Sequence, residues 1–188
     1  MLTIRCTTPA TVEPVTLDEA KAHCRVDGTH DDALLAALIK GARMQAEAYT
    51  RRVLCPSTWT VDADFGLAVG DAFVIPVAPC SAVVSVSVDG ALVDPSLYAF
   101  ARSALTPNET PMLATITALE GFPTGASLTV VVSAGWAQCP EDLKSWLRVR
   151  IGTLYEQRET FTIGPNSRDM PRTFVDCLLD PYVIPGGM

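Results

Sequence analysis

Between about Pro56 and Trp136 the sequence drops helical spacing for that of strands, and this change of period limits what the chain can become. Ahead of it, Leu35, Leu38, Ala42, Ala46, Tyr49 and Val53 recur every three or four residues, the stripe of a helix running to about Leu54. Pro56 lacks a backbone donor and stops that helix. Beyond it, Thr58–Val61, Phe73–Ile75, Val83–Val88, Ala114–Thr117 and Leu128–Val132 are rich in the β-branched and aromatic residues that suit a pleated surface. Turn chemistry divides them at Asp89-Gly90, Asp94-Pro95, Pro107-Asn108 and Pro123-Thr124-Gly125. Helical spacing returns at Pro140. The order predicts an α+β fold: a small helical bundle, two N-terminal helices plus C-terminal helices, with an inserted antiparallel β subdomain. The expected divisions are 1–55 and 137–180 for the helical core, 56–136 for one small sheet, and 181–188 for an apolar tail.

Local signals place the helix ends. Thr16 and Glu19 form a T-x-x-E capping box for a helix from Leu17 to about Val26, with Leu17, Ala20 and Cys24 on one face and Asp27-Gly28 ending it. Thr29 and Asp32 predict a second, weaker box, and Asp31 and Asp32 suit the positive end of a helix dipole. The outer face of the long helix is expected to carry Lys40, Arg43, Glu47, Arg51 and Arg52. Pro140 fits a first helical position, with Glu141 and Asp142 in the first turn. Leu143, Trp146, Leu147, Ile151, Leu154 and Tyr155 then mark a buried face to about Glu159. A connector at Gly164-Pro165-Asn166-Ser167 leads to a last short helix opened by Pro171, with Phe174, Val175, Leu178 and Leu179 inward, and ended by Pro181.

Charge narrows the function classes. Fourteen basic against 21 acidic residues give a net charge of −7, which argues against a grip on nucleic-acid phosphates, because that mode needs a basic face. No apolar run approaches the ~18 residues of a membrane span, and Met1–Arg5 is not followed by a signal core. A cytoplasmic protein with reduced thiols is therefore expected. The six cysteines (Cys6, Cys24, Cys55, Cys80, Cys139, Cys177) form no C-x-x-C pair, and His23 and His30 do not complete a zinc set, so the thiols read as small buried hydrophobes. Phosphate-binding glycine loops and the G-x-S-x-G elbow are missing. Cys24 and His23 are helix neighbours pointing apart. Asp31/Asp32 and Glu141/Asp142 suit first helical turns, and Asp62/Asp64 have strand spacing without further oxygen ligands. No catalytic, cofactor or metal residue is assigned.

Three features suit a partner-binding protein. The ending Tyr182–Met188 is apolar where termini are usually polar, so either this subunit or a neighbour covers it. Arg148, Arg150 and Arg158, with Lys144 nearby, form a positive row. Trp59, Phe65, Phe73, Tyr98 and Phe100 give the sheet an aromatic content that core packing explains.

The order and wording of these motifs resemble the head-to-tail connector, or adaptor, family of long-tailed bacteriophages, prophages and gene transfer agents. The residues that carry the resemblance are Glu13–Lys21, Arg25–Thr29, Asp31–Leu35, Leu38-Ile39, Ala46–Thr50, Pro140–Lys144, Leu154–Glu159 and Leu178–Tyr182. The family often has Gly-Arg after the Tyr-Thr pair, where this chain has Arg51-Arg52, and often an Arg after the final Pro-Tyr, where it has Val183. The resemblance implies a structural, non-enzymatic virion protein of the neck, made in the host cytoplasm. It implies a homo-oligomeric ring, usually of twelve copies, docked on the portal, with a stopper or tail-completion protein on its other side and genomic DNA passing through without tight binding. It also makes Asp180, Pro181, Tyr182, Val183, Ile184, Pro185, Gly186, Gly187 and Met188 the candidate portal contacts. Arg43, Glu47, Arg51, Arg52, Arg148, Arg150 and Arg158 are candidates for subunit interfaces. The alternatives are a tail-completion or stopper protein of the same particle, a ligand-binding β module using Trp59, or a hydrolase using Cys24 or a carboxylate pair.

Overall fold

The computed structural model describes residues 1–104, 111–156 and 176–184. Along the chain run β1 (Leu2–Thr8), α1 (Leu17–Cys24), α2 (Asp32–Thr50), β2 (Ser57–Ala63), β3 (Ala72–Ile75), β4 (Cys80–Val88) and β5 (Ala91–Leu92). After these come β6 (Tyr98–Ala104), β7 (Pro111–Ala118), β8 (Leu128–Ala134) and α3 (Glu141–Glu156). Single 3-10 turns lie at Pro95–Leu97, Asp176–Leu178 and Asp180–Tyr182. The mixture of helices and antiparallel sheets is the expected α+β class. The chain divides into two compact units: a β unit of Met1–Val12 and Arg52–Ala137, and a helical unit of Glu13–Arg51 and Gln138–Met188.

The β unit holds two sheets where the sequence predicted one. The larger has the order β1-β2-β8-β4-β5 and the smaller β3-β7-β6, with every pairing antiparallel. In β8 the side chains alternate: Leu128, Val130, Val132 and Ala134 are buried, and the residues between them are half-buried. Val130 lies opposite Val61 on one side and Val86 on the other, and all three are closed to solvent. Ile75, Phe73 and Ile116 of the smaller sheet belong to the same apolar cluster. Burying each such side chain contributes about 1.5–3 kcal/mol.

Two glycine positions shape this unit. Asp89 and Gly90 both have positive φ, 49° and 81°, the left-handed pair that turns β4 tightly into β5. Gly135 has φ 98°, and a Cβ there would lie 2.1 Å from the Cys55 carbonyl oxygen, so only glycine lets the chain leave β8 along this path. Three strands went unread in the sequence. β1 lies in the stretch expected to be helical, and β5 and β6 fall between the strand signals.

In the helical unit the first capping box forms as read: the Glu19 amide donates to Thr16 Oγ1 at 3.2 Å and the Thr16 amide to the Glu19 carboxylate at 2.8 Å. The second box does not form. Asp31 is the N-cap of α2 and makes no side-chain cap; its carboxylate instead accepts a 2.5 Å hydrogen bond from the Tyr155 hydroxyl. α2 stops at Thr50 rather than Leu54, with Arg51 left-handed behind it at φ 56°. Its buried face is Leu35, Ile39, Ala42, Ala46 and Thr50. The expected stripe was therefore rotated: Leu38 is half-buried and Tyr49 is exposed. Thr50 is tolerated inside because its hydroxyl donates to the Ala46 carbonyl at 2.7 Å.

α3 packs on α1 and α2. It buries Leu143, Trp146, Leu147 and Ile151 as predicted, with Leu154 and Tyr155 half-buried. Pro107-Asn108, the helix beyond Glu156, the connector at 164–167, Pro171, Phe174 and Val175 lie outside the described residues. Where a last helix was expected to end, residues 176–182 form two 3-10 turns, and Pro181 sits in the first turn of the second instead of terminating anything. Leu179 is buried.

Candidate interaction surfaces

The thiols dispose of one chemistry. Only Cys55 and Cys80 are buried, while Cys24 and Cys139 are half-buried and Cys6 and Cys177 are exposed, so the reading of six buried thiols is corrected. Burial pushes the Cys80 thiol up to about 11 and the Cys139 thiol up to about 12, far from a nucleophilic thiolate. Cys24 lines a cleft with His23, Val149, Gly152, Thr153, Tyr155 and Glu156. Burial first, and then the Glu156 carboxylate, raise its pKa. That is the reverse of activation. Asp62 accepts from the Thr129 hydroxyl at 2.8 Å and from Arg5 at 2.7 Å, and these contacts, Thr129 foremost, hold its carboxyl below the usual range. Its place is structural. Among the described residues no cluster of His, Cys, Asp or Glu could hold a metal ion.

Among the interface candidates the structure separates committed from uncommitted cations. Arg43 bonds Glu13 through Nε at 2.7 Å and Glu47 through Nη1 at 2.8 Å, which engages two acids of its own chain. Arg148 reaches Glu19 at 3.3 Å and Glu141 at 3.4 Å. Arg150 donates to Gln45 at 2.8 Å. Arg52, expected on an outer face, is buried and stacks over the Trp136 ring at 5.9 Å. Arg158 lies outside the described residues. Of the candidates described, Arg51 alone is exposed without an ion pair to a described residue. Its left-handed C-cap position is one that glycine fills most cheaply.

The proposed portal segment is also partly committed at home. The Tyr49 hydroxyl donates to Asp180 at 2.9 Å, the Ile184 amide donates to the Thr50 carbonyl at 3.0 Å, and Tyr182 is buried. Asp180–Ile184 is therefore anchored beside the end of α2, while Pro185–Met188 lies outside the described residues. Of the sheet aromatics, Phe73 is buried, and Trp59, Tyr98 and Phe100 pack on the core. Phe65 stays largely exposed, edge-on to Phe73 at 5.9 Å. A surface that sequence reasoning missed is β1, exposed at all seven residues.

Comparison with known proteins adds the following. A family model described as "Phage gp6-like head-tail connector protein" matches residues 14–90. The fold is shared with a chain in "Neck of empty GTA particle computed with C6 symmetry" at TM-score 0.72 and 20% identity, covering 98% of each chain. A chain in "Virion of native gene transfer agent (GTA) particle" gives 0.69 and 20%, again over 98% of each. One in "Neck of native GTA particle computed with C12 symmetry" gives 0.63 and 21%, over 100% of this chain and 98% of that one. No curated protein matches.

Proposed function

From a chain that carries the gp6-like head-tail connector signature over residues 14–90 and has, end to end, the fold of gene transfer agent neck proteins, we propose a structural subunit of a head-to-tail adaptor ring. The observation that carries this reading is the near-complete coverage of those neck chains, with β unit and helical unit both included. In this reading about twelve copies close around the particle axis through a heterologous interface, each copy presenting one surface and receiving another. The ring docks on the portal, receives a stopper or tail-completion protein on its other side, and lets DNA through a lumen that a −7 subunit does not make sticky.

The anchored tail refines how docking works. Asp180, Tyr182 and Ile184 hold to the helical unit, so we carry Pro185, Gly186, Gly187 and Met188 forward as the proposed portal contacts. One such short segment binds weakly. A ring of them binds strongly, since after the first contact the others act at high effective concentration. Arg51 is the cation best placed for a neighbouring copy.

Co-expression of the chain with its cognate portal protein, followed by imaging, tests the reading. A stacked double ring is expected, and a monomer that ignores the portal would overturn it. Truncation after Ile184 should abolish stacking and leave the helical unit folded. Unchanged stacking would remove the tail from the mechanism.

A further inference from the structure

β1 is an edge strand of the five-stranded sheet, and among the described residues no strand lies on its outer side. The Asp64 amide donates to the Met1 carbonyl at 3.0 Å, which sets the phase of the β1–β2 ladder. Thr3 and Arg5 therefore turn their backbone groups toward β2, and Leu2, Ile4 and Cys6 turn theirs outward. Those three residues also share a face. They lie opposite Ala63, Val61 and Trp59, and Ala63 and Val61 are buried core. The core face of the sheet thus runs on into β1, yet Leu2, Ile4 and Cys6 are exposed. The strand has no proline or lysine, and its single charge, Arg5, is neutralised by Asp62 at 2.7 Å. Two usual devices that blunt an edge, proline and lysine, are thus missing, and the strand's one register shift falls at Cys6/Thr8, leaving Leu2–Cys6 as a regular run.

The opposite edge of the same sheet is open as well. β5 covers only Ser87 and Val88 of β4, and the Val93 amide takes the Val86 carbonyl. Among the described residues no strand lies outside Cys80–Ser85. That stretch is uncharged and includes exposed Ser81, Ala82 and Val84. Since every neighbour is antiparallel, β1 and β4 run in opposite directions. A second copy in the same orientation therefore brings its β1 antiparallel to this β4. Register shifts at Cys80/Ala82 and Val83/Ser85 interrupt β4, so its outer edge offers pairing in short runs between them. Copies that each carry −7 also meet with least repulsion through two edges free of net charge.

We infer that the open edge of β1 is a strand-pairing surface for a second copy of this chain, seated on the outer edge of β4, Cys80–Ser85, in the neighbour. This deepens the ring reading above and rests on it. The backbone hydrogen bonds supply affinity, and the Leu2-Ile4-Cys6 face supplies the apolar contact.

Ile4→Pro in the full chain separates pairing from folding. It removes an outward amide without removing a β1–β2 bond, a place where an edge strand accepts proline. Self-association, read by sedimentation, should weaken about tenfold or more, with the β8 amides still protected from exchange. Association at wild-type strength would overturn the pairing. A second measurement keeps the test sharp: Val84→Cys in a Cys24→Ser, Cys139→Ser, Cys177→Ser background, treated with a short bis-maleimide that bridges to native Cys6. A ladder of dimers, trimers and higher species is expected only when both thiols are present. Dimers formed through Cys6 alone would show β1 meeting β1 and overturn the assignment. Joining of heads to tails is scored separately. Normal joining by the Ile4→Pro chain ends this inference and leaves the connector reading intact, whereas absence of the wild-type chain from necks ends that reading itself.

Discussion

The two units hold themselves together by different means. The β unit relies on one apolar cluster, in which Val61, Val86, Val130, Ile75 and Ile116 are closed to solvent. Among the described residues the helical unit has fewer such side chains and adds a web of charge: Arg43 with Glu13 and Glu47, Lys21 with Asp32, Glu19 with Lys144 and Arg148, and Asp31 with Tyr155. Apolar contact does not depend on protonation or salt, while partly exposed ion pairs depend on both. The difference teaches that one chain can hold its sheets by apolar packing while its helices answer to their ionic surroundings.

The contrast can be broken most forcefully in the sheet. Ile116→Ala should cost about 2–5 kcal/mol, because a fully buried branched side chain leaves a cavity behind. The loss, read by denaturant unfolding, should be the same at low and high salt. A strongly salt-dependent loss would erase the distinction between the units.

Acid should act on the helices first. The Thr16 amide, above all, holds the Glu19 carboxyl below its ordinary 4.5, with Lys144 and Arg148 assisting. A lowered folded-state value means stability that is fully present above the ordinary value and is lost as pH falls through the folded one. Protection of α1 amides, corrected for intrinsic exchange rates, should therefore fall as pH drops below the ordinary 4.5, by about 1 kcal/mol, the scale of one cap, while Val130 and Val132 amides hold. Glu19→Gln keeps a side chain that can complete the box and should flatten that pH dependence. A profile unchanged by the substitution would assign the effect to other acids.

The smallest effect is a gain. Arg51→Gly replaces a left-handed arginine with the residue that adopts this conformation freely, and should raise thermal stability by up to about 1 kcal/mol. If Arg51 also meets a neighbouring copy, the same variant should assemble less well. A chain that is more stable and assembles equally well would limit Arg51 to a capping role.

Much of the fold was legible because its signals are local. Thr16 and Glu19 announce a capping box by spacing alone, and β8 alternates so regularly that Leu128–Val132 could be read as a strand without its neighbours. The misses have physical reasons. β1 carries Arg5 and three threonines, and nothing in Leu2–Thr8 tells that its partner lies fifty or more residues away. β5 is two residues long, defined by the Asp89-Gly90 turn rather than by composition. On α2 the choice between Leu38 with Tyr49 and Ile39 with Thr50 turns on which face its packing partners meet, and periodicity admits both. Arg52 was assigned outward because arginine usually is, and its burial against the Trp136 ring is a tertiary contact that spacing does not carry. Arg43 and Arg148 were read as part of a charged face, and each pairs with acids of its own chain, a pairing that only the tertiary structure reveals.

The central place of β8 has a consequence for the nascent chain. Ordered β1-β2-β8-β4-β5, the large sheet has no middle until residue 134 has been synthesised. Until then β1 with β2, and β4 with β5, are two separate ribbons, each showing an unclosed flank to whatever else is in the cell. The last strand made is the keystone, and a translational pause placed before it would prolong the interval in which those flanks can find the wrong mate.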